Sequence, residues 1–443
     1  MIRLQPVARR AIGAILLAAG ASLLRAQSAG PAPGARLTEA YLRHVARDVT
    51  FWAWPMVDVY GARLTGRLRM LPEADFVRYG GPLALDREPV VVQVPDFGDR
   101  FWSCLAADLR TDAFANLGAV YGAKPGFYLL VGPKWNGETP RGIARVFHAR
   151  TSTGFLVARV FTDGTPADRQ AAETLLLHFD AYPLSQFDGS PKLRNGEGRA
   201  SGEAPEAPAF VPATFFERLP AVLQDAPPLP GEDTRYGEAK ALLAAMKKDA
   251  TIKAAAIEEA GRAEKDLIAP LFEFENFGLP LANRWTAVED GADFGTDYDS
   301  RTALRRADLF VPRANEEKSY YLDRDRDGGR LDGAHRYTVT FARGALPPVR
   351  GSWSLTLYDA RHAFTANPMD RHAVGTANRD LTPSADGGLV IIVQADEPGT
   401  ASQRANWLPA PKEGGFSLVL RAWWPESGIT SGRWTPPPVV RVK

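Results

Sequence analysis

A single cysteine, Cys104, in 443 residues excludes an intrachain disulfide framework and any paired-thiol metal or redox motif. Histidine is scarce. The six, at 44, 148, 178, 335, 362 and 372, never stand at metal-ligand spacing on one element. No excess charge of one sign is present either. The 53 Lys and Arg balance 52 Asp and Glu to a net +1, which excludes a generally basic nucleic-acid binder. Past residue 30 no apolar run reaches the length of a membrane-spanning helix. The familiar catalytic loops are missing as well: no G-x-S-x-G elbow, no Gly-rich phosphate loop ending in Lys-Ser/Thr, no H-E-x-x-H, no G-x-G-x-x-G after a strand.

What is present begins at the N-terminus. Arg3, Arg9 and Arg10 precede the apolar run Ala11 to Leu24, followed by Arg25, Ala26 and a polar stretch. A basic segment, a short apolar segment and a small-residue exit predict a secretory signal peptide over residues 1–26. Periplasmic or secreted localisation follows as an expectation, with the Arg9-Arg10 pair leaving the general and twin-arginine routes both open. No membrane span is expected once that segment is removed.

The 35 Pro and 40 Gly argue for many turns and against a mostly helical chain. Val90-Val91-Val92-Gln93-Val94, closed by Pro95, reads as a strand. Phe101–Leu109, Phe127–Val131, Ala144–Ala149 and Phe155–Phe161 read likewise. Pro166 opens a helix expected to run toward Tyr182-Pro183. Residues 188–212 are polar and rich in Gly, Pro and Glu, as a linker would be. Leu242, Leu243 and Met246 recur at helical spacing, and helices are predicted between about 214 and 268. From His335 the β texture returns, with strands at His335–Ala342, Ser352–Tyr358, Leu389–Gln394 and Phe416–Trp423. The expected fold is mainly β with α: two β-sandwich or jelly-roll-like domains joined by a helical connector. Its parts are an N-terminal β-rich domain at 37–187, a linker and connector at 188–300, and a C-terminal β-sandwich at 301–443.

Candidate chemistry is thin. Cys104 sits in the alternating segment Phe101–Leu109 and is expected to be buried and inert. Asp323, Asp325 and Asp327 with Gly328 match the first half of a calcium loop, but Ala334 stands where a bidentate Glu is needed. Weak calcium binding and an arginine-neutralised turn are the two readings; no other cofactor is expected. Asp96, Asp99 and Arg100 form a tight charged corner. The ten tryptophans could stack on a planar ligand or pack a core; Trp135 and Trp407 are the ligand-facing candidates.

Several longer motifs carry a resemblance. Phe51-Trp-Ala-Trp-Pro-Met-Val-Asp58-Val-Tyr60, Glu88 to Trp102, Pro125 to Trp135 and Arg159-Val-Phe161 resemble one module. Leu331-Asp-Gly-Ala-His-Arg-Tyr337, Trp353 to Asp359, Asn406 to Pro411 and Gly432 to Pro438 resemble another. Together they resemble a bacterial exported family that pairs domain of unknown function 1254 with domain of unknown function 1214. The resemblance implies two β-sandwich or jelly-roll-type domains with helices between. It brings no activity that covers the family. Relatives usually carry an Asn-x-Asp element before the strand at Glu88. Here the chain passes from Met70–Tyr79 straight to Gly80–Asp86, as if about ten residues were deleted, a length judged from motif spacing; such a deletion would cost strand pairing. Two functions follow as expectations. One is a periplasmic hydrolase with Asp96, Asp99, Arg100, Arg371 and Asn406 near a groove between the domains. The other is a non-catalytic envelope ligand-binding protein using the same groove. The partner in either case is an unidentified small molecule or envelope ligand, not nucleic acid, and a homo-oligomer is compatible with both.

Overall fold

A computed structural model describes residues 29–32, 34–194 and 209–442. The expected signal peptide, and residues 195–208 of the expected linker, lie outside the described residues. The first helix, α1 (Glu39–Thr65), is capped by the Thr38 hydroxyl accepting from the Tyr41 N–H, and Gly66 ends it in the left-handed region at φ 70°. Pro55 lies inside α1. It cannot donate to the carbonyl of Phe51 one turn earlier, and the Thr302 hydroxyl supplies that bond at 3.2 Å.

Eight strands follow in the N-terminal half. They are β1 (Phe76–Ala84), β2 (Val90–Val94), β3 (Trp102–Asp108), β4 (Ala113–Gly118), β5 (Gly126–Val131), β6 (Ile143–His148), β7 (Thr153–Phe161) and β8 (Asp180–Pro183). The first sheet has the order β1-β7-β3-β4 and the second β6-β5-β2-β8. β3 is buried along its whole length, because its two faces serve two cores. Cys104 and Ala106 face the second sheet with Val92, Val94 and Leu130. Leu105 and Ala107 face the helices with Phe155 and Val157. Cys104 is buried as expected, and burial pushes its thiol pKa up, away from reactivity.

The helices between the β regions are α3 (Pro212–Asp225), α4 (Asp233–Lys248), α5 (Ala250–Ala263) and α6 (Tyr298–Arg306); α2 (Pro166–Leu177) lies before them. The helices expected between about 214 and 268 run from Pro212 to Ile268, with a break at residues 226–232. This segment does not stand apart as a bridge, because α3, α4 and α5 pack with α1 onto the back of the first sheet through Trp52, Phe215, Leu219 and Leu242. α2 ends at Leu177, and the residues expected to extend it form the strand β8 instead.

The C-terminal half holds β9 (Leu279–Pro280), β10 (Thr286–Ala287), β11 (Glu317–Leu322), β12 (Arg336–Phe341), β13 (Trp353–Asp359), β14 (Ala373–Gly375), β15 (Leu389–Gln394), β16 (Trp407–Pro409), β17 (Phe416–Trp423) and β18 (Val439–Val442). One sheet runs β14-β13-β17-β11-β10-β9 and the other β16-β15-β12-β18. Alternation along the strands fills the space between them: Val339 and Ile391 from one sheet meet Leu355, Leu418 and Leu420 from the other. The opposite face of the larger sheet, with Tyr321, Tyr358 and Val419, is covered by Phe274 and Leu304. With four sheets and substantial helix between the β regions, the class is mixed α/β rather than mainly β.

The place where the resemblance lacks its Asn-x-Asp element is occupied by an intact strand. β1 pairs all nine of its residues with β7, from Phe76 opposite Phe161 to Ala84 opposite Thr153. The expected loss of strand pairing is therefore corrected. Gly80 suits this ladder, since a Cβ there would collide with the Leu156 carbonyl. Pro82 is tolerated because β1 is an edge strand.

Candidate functional site

The two β regions meet where β1 and β7 approach β17, β13 and β11. Phe76 and Phe101 pack on Trp423 with ring centroids 4.8 and 5.9 Å apart. Beside this apolar contact lies a buried charged layer. Arg78 stands directly opposite Arg159 across the β1–β7 ladder. On the facing sheet Arg421 lies between Ser319 and Ser354. All three arginines are buried, and acids come from both sides to neutralise them. Arg159 Nε donates to both carboxylate oxygens of Glu73, at 3.1 and 2.9 Å. Arg421 Nε lies 3.8 Å from Glu317. Arg159 also donates to the Phe310 carbonyl at 2.7 Å, and the Tyr358 hydroxyl donates to the Pro72 carbonyl at 2.6 Å. A cavity of about 10 Å³ lies among these groups, and one water fits it.

Glu73 and Arg78 of this layer also line a groove of about 1200 Å³. Its walls are the segment 69–78 leading into β1, the turn from β7 into α2 (Asp163 to Arg169), the connector residues Phe272, Arg306 and Asp308, and the loops flanking β14 (360–380). Arg379 reaches Asp163 at 2.7 Å, joining the two β regions. Seven non-glycine residues among those described have left-handed backbone, and three of them line this groove: Asp308, His362 and Asp370, at φ 58°, 59° and 49°. Strain of this kind persists only where surrounding structure enforces it, and it concentrates at working sites.

Glu73 and Asp75 line the groove two residues apart, in different electrostatic settings. Burial pushes the Glu73 carboxyl up, but the guanidiniums of Arg159, Arg78 and Arg421 outweigh it and hold it below the usual carboxylate range. Burial pushes Asp75 up to about 6, and its hydrogen bond from Ser354 with the more distant Arg421 only partly opposes this. One carboxylate is therefore ionised while its neighbour is poised near neutrality.

Seven arginines line the groove, and most are engaged. Arg69 pairs with Asp308 at 2.7 Å. Arg78 donates to the Leu71 carbonyl at 2.6 Å, and Arg371 to the carbonyls of Arg404, Ala405 and Trp407. Arg169 donates to the Ala74 carbonyl at 3.2 Å. Arg361 is 87% exposed, with Asp359 at 3.5 Å. Arg306 forms no ion pair among the described residues; its guanidinium lies over the Phe272 ring at 5.1 Å. Both histidines of the groove are neutral near pH 7. Burial takes His362 down to about 3, with Arg306 and Arg330 adding to the effect. His372 is also lowered by burial, opposed by Asp370 at 3.1 Å.

A raised pKa alone does not mark this site. Asp108 is pushed up to about 7 by burial and by Asp112. It belongs to a buried cluster in which Arg110 pairs with Glu232 and Arg301 with Asp112, both at 2.9 Å. That cluster ties the β3–β4 turn to α4 and α6, away from the groove.

Of the residues expected at a catalytic, ligand or metal site, the structure brings only Arg371 into the groove, and its donors are taken by backbone carbonyls and by Asp380. Asp96 and Asp99 are exposed, Asp96 accepting from the Gly98 N–H in its own turn. Arg100 forks onto Asp168 at 2.9 and 2.6 Å, fastening the corner to α2. The charged corner is thus a structural staple. Asn406 clasps the backbone of Thr382 from both sides at 2.8 and 2.7 Å. Trp407 is 1% exposed and donates to the Gln394 carbonyl, so it packs the core and faces no ligand. Trp135 lies beside His148 with ring centroids 6.1 Å apart, outside the groove.

The aspartates at 323, 325 and 327 do not converge. Asp323 turns inward to the Ser417 hydroxyl at 2.5 Å and the Glu275 N–H at 2.8 Å. Asp325 accepts from the N–H groups of Asp327 and Gly329. Arg324 pairs with Glu275, and Arg330 with Glu273. Among the described residues no group of three His, Cys, Asp or Glu is arranged to hold a metal ion. The loop has the hydrogen bonding of a tight turn, with its arginines spent on glutamates rather than on the aspartates.

Sequence reading missed Glu73, Asp75, Arg78, Arg159, Arg306 and Arg421. A usable signal was present for three of them: Phe76-Val-Arg78-Tyr, Val157-Ala-Arg159-Val and Val419-Leu-Arg421-Ala each place an arginine inside an apolar β run, which demands a buried partner.

The models described as proteins of unknown function DUF1254 and DUF1214 match residues 60–183 and 316–427. No curated protein matches the chain. Among solved structures, the VPA0106 protein from Vibrio parahaemolyticus is similar at 19% identity, covering 91% of this chain and 100% of its own, with a TM-score of 0.64. An uncharacterised protein from Burkholderia cenocepacia matches at 13% identity over 91% of this chain and 87% of its own, with a TM-score of 0.42. At such identities the first likeness speaks for the fold alone.

Proposed function

We propose that this chain, which belongs to the family pairing domain of unknown function 1254 with domain of unknown function 1214, is a hydrolase whose site is the groove between its two β regions. The observation that carries this reading is the Glu73/Asp75 pair: two carboxylates on one wall, one held ionised and one raised to about 6. Such splitting supplies a proton acceptor suited to neutral pH.

In this reading the Asp75 carboxylate takes a proton from water as the water oxygen bonds to the substrate's electrophilic carbon or phosphorus. The bond to the leaving group then breaks, and the leaving group departs with the electron pair and takes the proton from Asp75. Water is consumed and the carboxylate is regenerated. Glu73 stays charged and anchors Arg159, and the positive field of Arg159 and Arg78 favours the negative charge that develops on the substrate. Export, expected from residues 1–26, would put this activity in the periplasm or outside the cell.

The pH profile tests the assignment. Asp75 must be ionised to act as base, so kcat/KM for an activated aryl ester or aryl phosphate should rise about tenfold per pH unit below 6 and level off above it. A profile flat from pH 4.5 to 8 would remove Asp75 from the base role. The stacked rings of Phe272 with His362 and of Phe364 with His372, at 3.9 and 4.2 Å, favour a second reading, a non-catalytic envelope ligand-binding protein. Tight binding without turnover of any ester, amide or phosphoester class would support that reading instead.

A further inference from the structure

We infer, building on the reading of the groove as a hydrolytic site, that its substrates carry an oxyanion, a carboxylate or a phosphate, received by the guanidinium of Arg306. Four of the six acids lining the groove are paired with arginines, Asp308 with Arg69, Asp163 with Arg379, Asp380 with Arg371 and Glu73 with Arg159, while Asp370 meets the neutral His372 and Asp75 has no ion pair among the described residues. Arg306 has no carboxylate among the described residues. Its Nε is buried without a hydrogen-bond partner, a costly state for a charged group unless something else meets it.

The guanidinium is also held in place. It lies over Phe272 at 5.1 Å, Phe272 stacks on His362 at 3.9 Å, and His362 stacks on Phe274 at 4.4 Å. Four planar groups from three segments, α6, the turns after α5 and the loop after β13, form one continuous stack. The left-handed backbone of His362 places its ring in the middle of it. A guanidinium fixed at its face keeps its edge N–H groups for a ligand, and that fork fits two oxygens of a carboxylate or phosphate. Arg361, next to His362 and largely exposed, adds positive charge at the same end of the groove. Asp75 lines the groove from the β1 side, so a substrate anchored by its anion on Arg306 would extend toward the proposed base.

Calorimetric titration of the full chain with benzoate, phenyl phosphate, inorganic phosphate and benzamide tests this. At least one oxyanion should bind, with benzamide at least tenfold weaker than benzoate if a carboxylate is the preferred group. Preference for phenyl phosphate and phosphate would assign a phosphate instead. Arg306→Gln should weaken the preferred anion at least tenfold. Arg306→Lys, which keeps the charge and loses the fork, should also weaken it, so the result does not depend on one variant folding. Asp75→Asn, which removes a negative charge from the same groove, should not weaken anion binding. The inference is overturned if none of the three anions binds, or if they bind Arg306→Gln as tightly as the native chain. If anions bind through Arg306 and nothing is hydrolysed, the subsite stands and the hydrolase reading fails.

Discussion

Replacing Asp75 by Asn is expected to lower kcat/KM by about 10²- to 10⁴-fold, the contribution of a positioned general base, with KM little changed. The same substitution should make the protein more stable at pH 8. Asn has the shape of Asp but takes up no proton. Asp75 is buried, and its folded pKa is raised from 3.8 to about 6. A carboxyl raised in this way contributes stability below its unfolded pKa and loses it as pH climbs through the folded value. Above pH 6 the native protein therefore carries an ionised Asp75 that the fold disfavours. Removing that charge should raise unfolding stability by about 1–3 kcal/mol at pH 8, with little difference at pH 4. Rate falling while stability rises is the signature of a residue retained for function. Chemical denaturation at the two pH values, beside steady-state hydrolysis, reads both. A variant that is less stable at pH 8 and equally active would place Asp75 among structural groups.

Arg159→Ala should have the opposite thermodynamic character, a loss of roughly 3–5 kcal/mol, because it leaves the buried Glu73 carboxylate without its two-oxygen partner. It also removes the donor to the Phe310 carbonyl and a guanidinium 5.6 Å from the Trp423 ring. The damage falls at the seam between the two β regions, since Glu73 precedes β1 while Arg421 and Trp423 belong to β17. Glu73→Gln combined with Arg159→Met removes both charges and should recover at least half of the loss. Urea denaturation of the single and double variants measures this. A single-variant loss under about 1 kcal/mol, or a double variant no better than the single, would show that the pair does not hold the seam.

Much of the β framework was legible because its strands alternate or run apolar between turn residues. Leu389–Gln394 and Phe416–Trp423 were read with the bounds they have, and Val90–Val94 likewise. The helices at 212–268 followed from periodicity, whereas their packing onto the first sheet depends on contacts with α1 that no local pattern encodes. β1 was missed because Gly80-Gly81-Pro82 reads as a turn, and only its edge position makes that sequence acceptable as a strand. β11 went unread for a related reason: Glu317 and Lys318 at its start look like surface residues, yet Glu317 is buried against Arg421.

The site was far less legible. Asp96, Asp99 and Arg100 drew attention because they are adjacent in sequence, and adjacency in a turn serves the turn. The groove instead collects single residues from segments far apart in the chain: Asp75 before β1, Arg306 at the end of α6, His362 after β13. None has a motif around it. Their chemistry arises from burial and from opposing strands, as when Arg78 and Arg159 are placed face to face and Glu73 must answer both.

The most direct test of this account is the titration of Asp75 itself. Difference infrared spectra between the native protein and Asp75→Asn isolate one carboxyl group as pH is varied from 3 to 9. The account predicts that the acid band gives way to the carboxylate band with a midpoint at about 6. A midpoint near 4 or below, that of an ordinary aspartate, would contradict it.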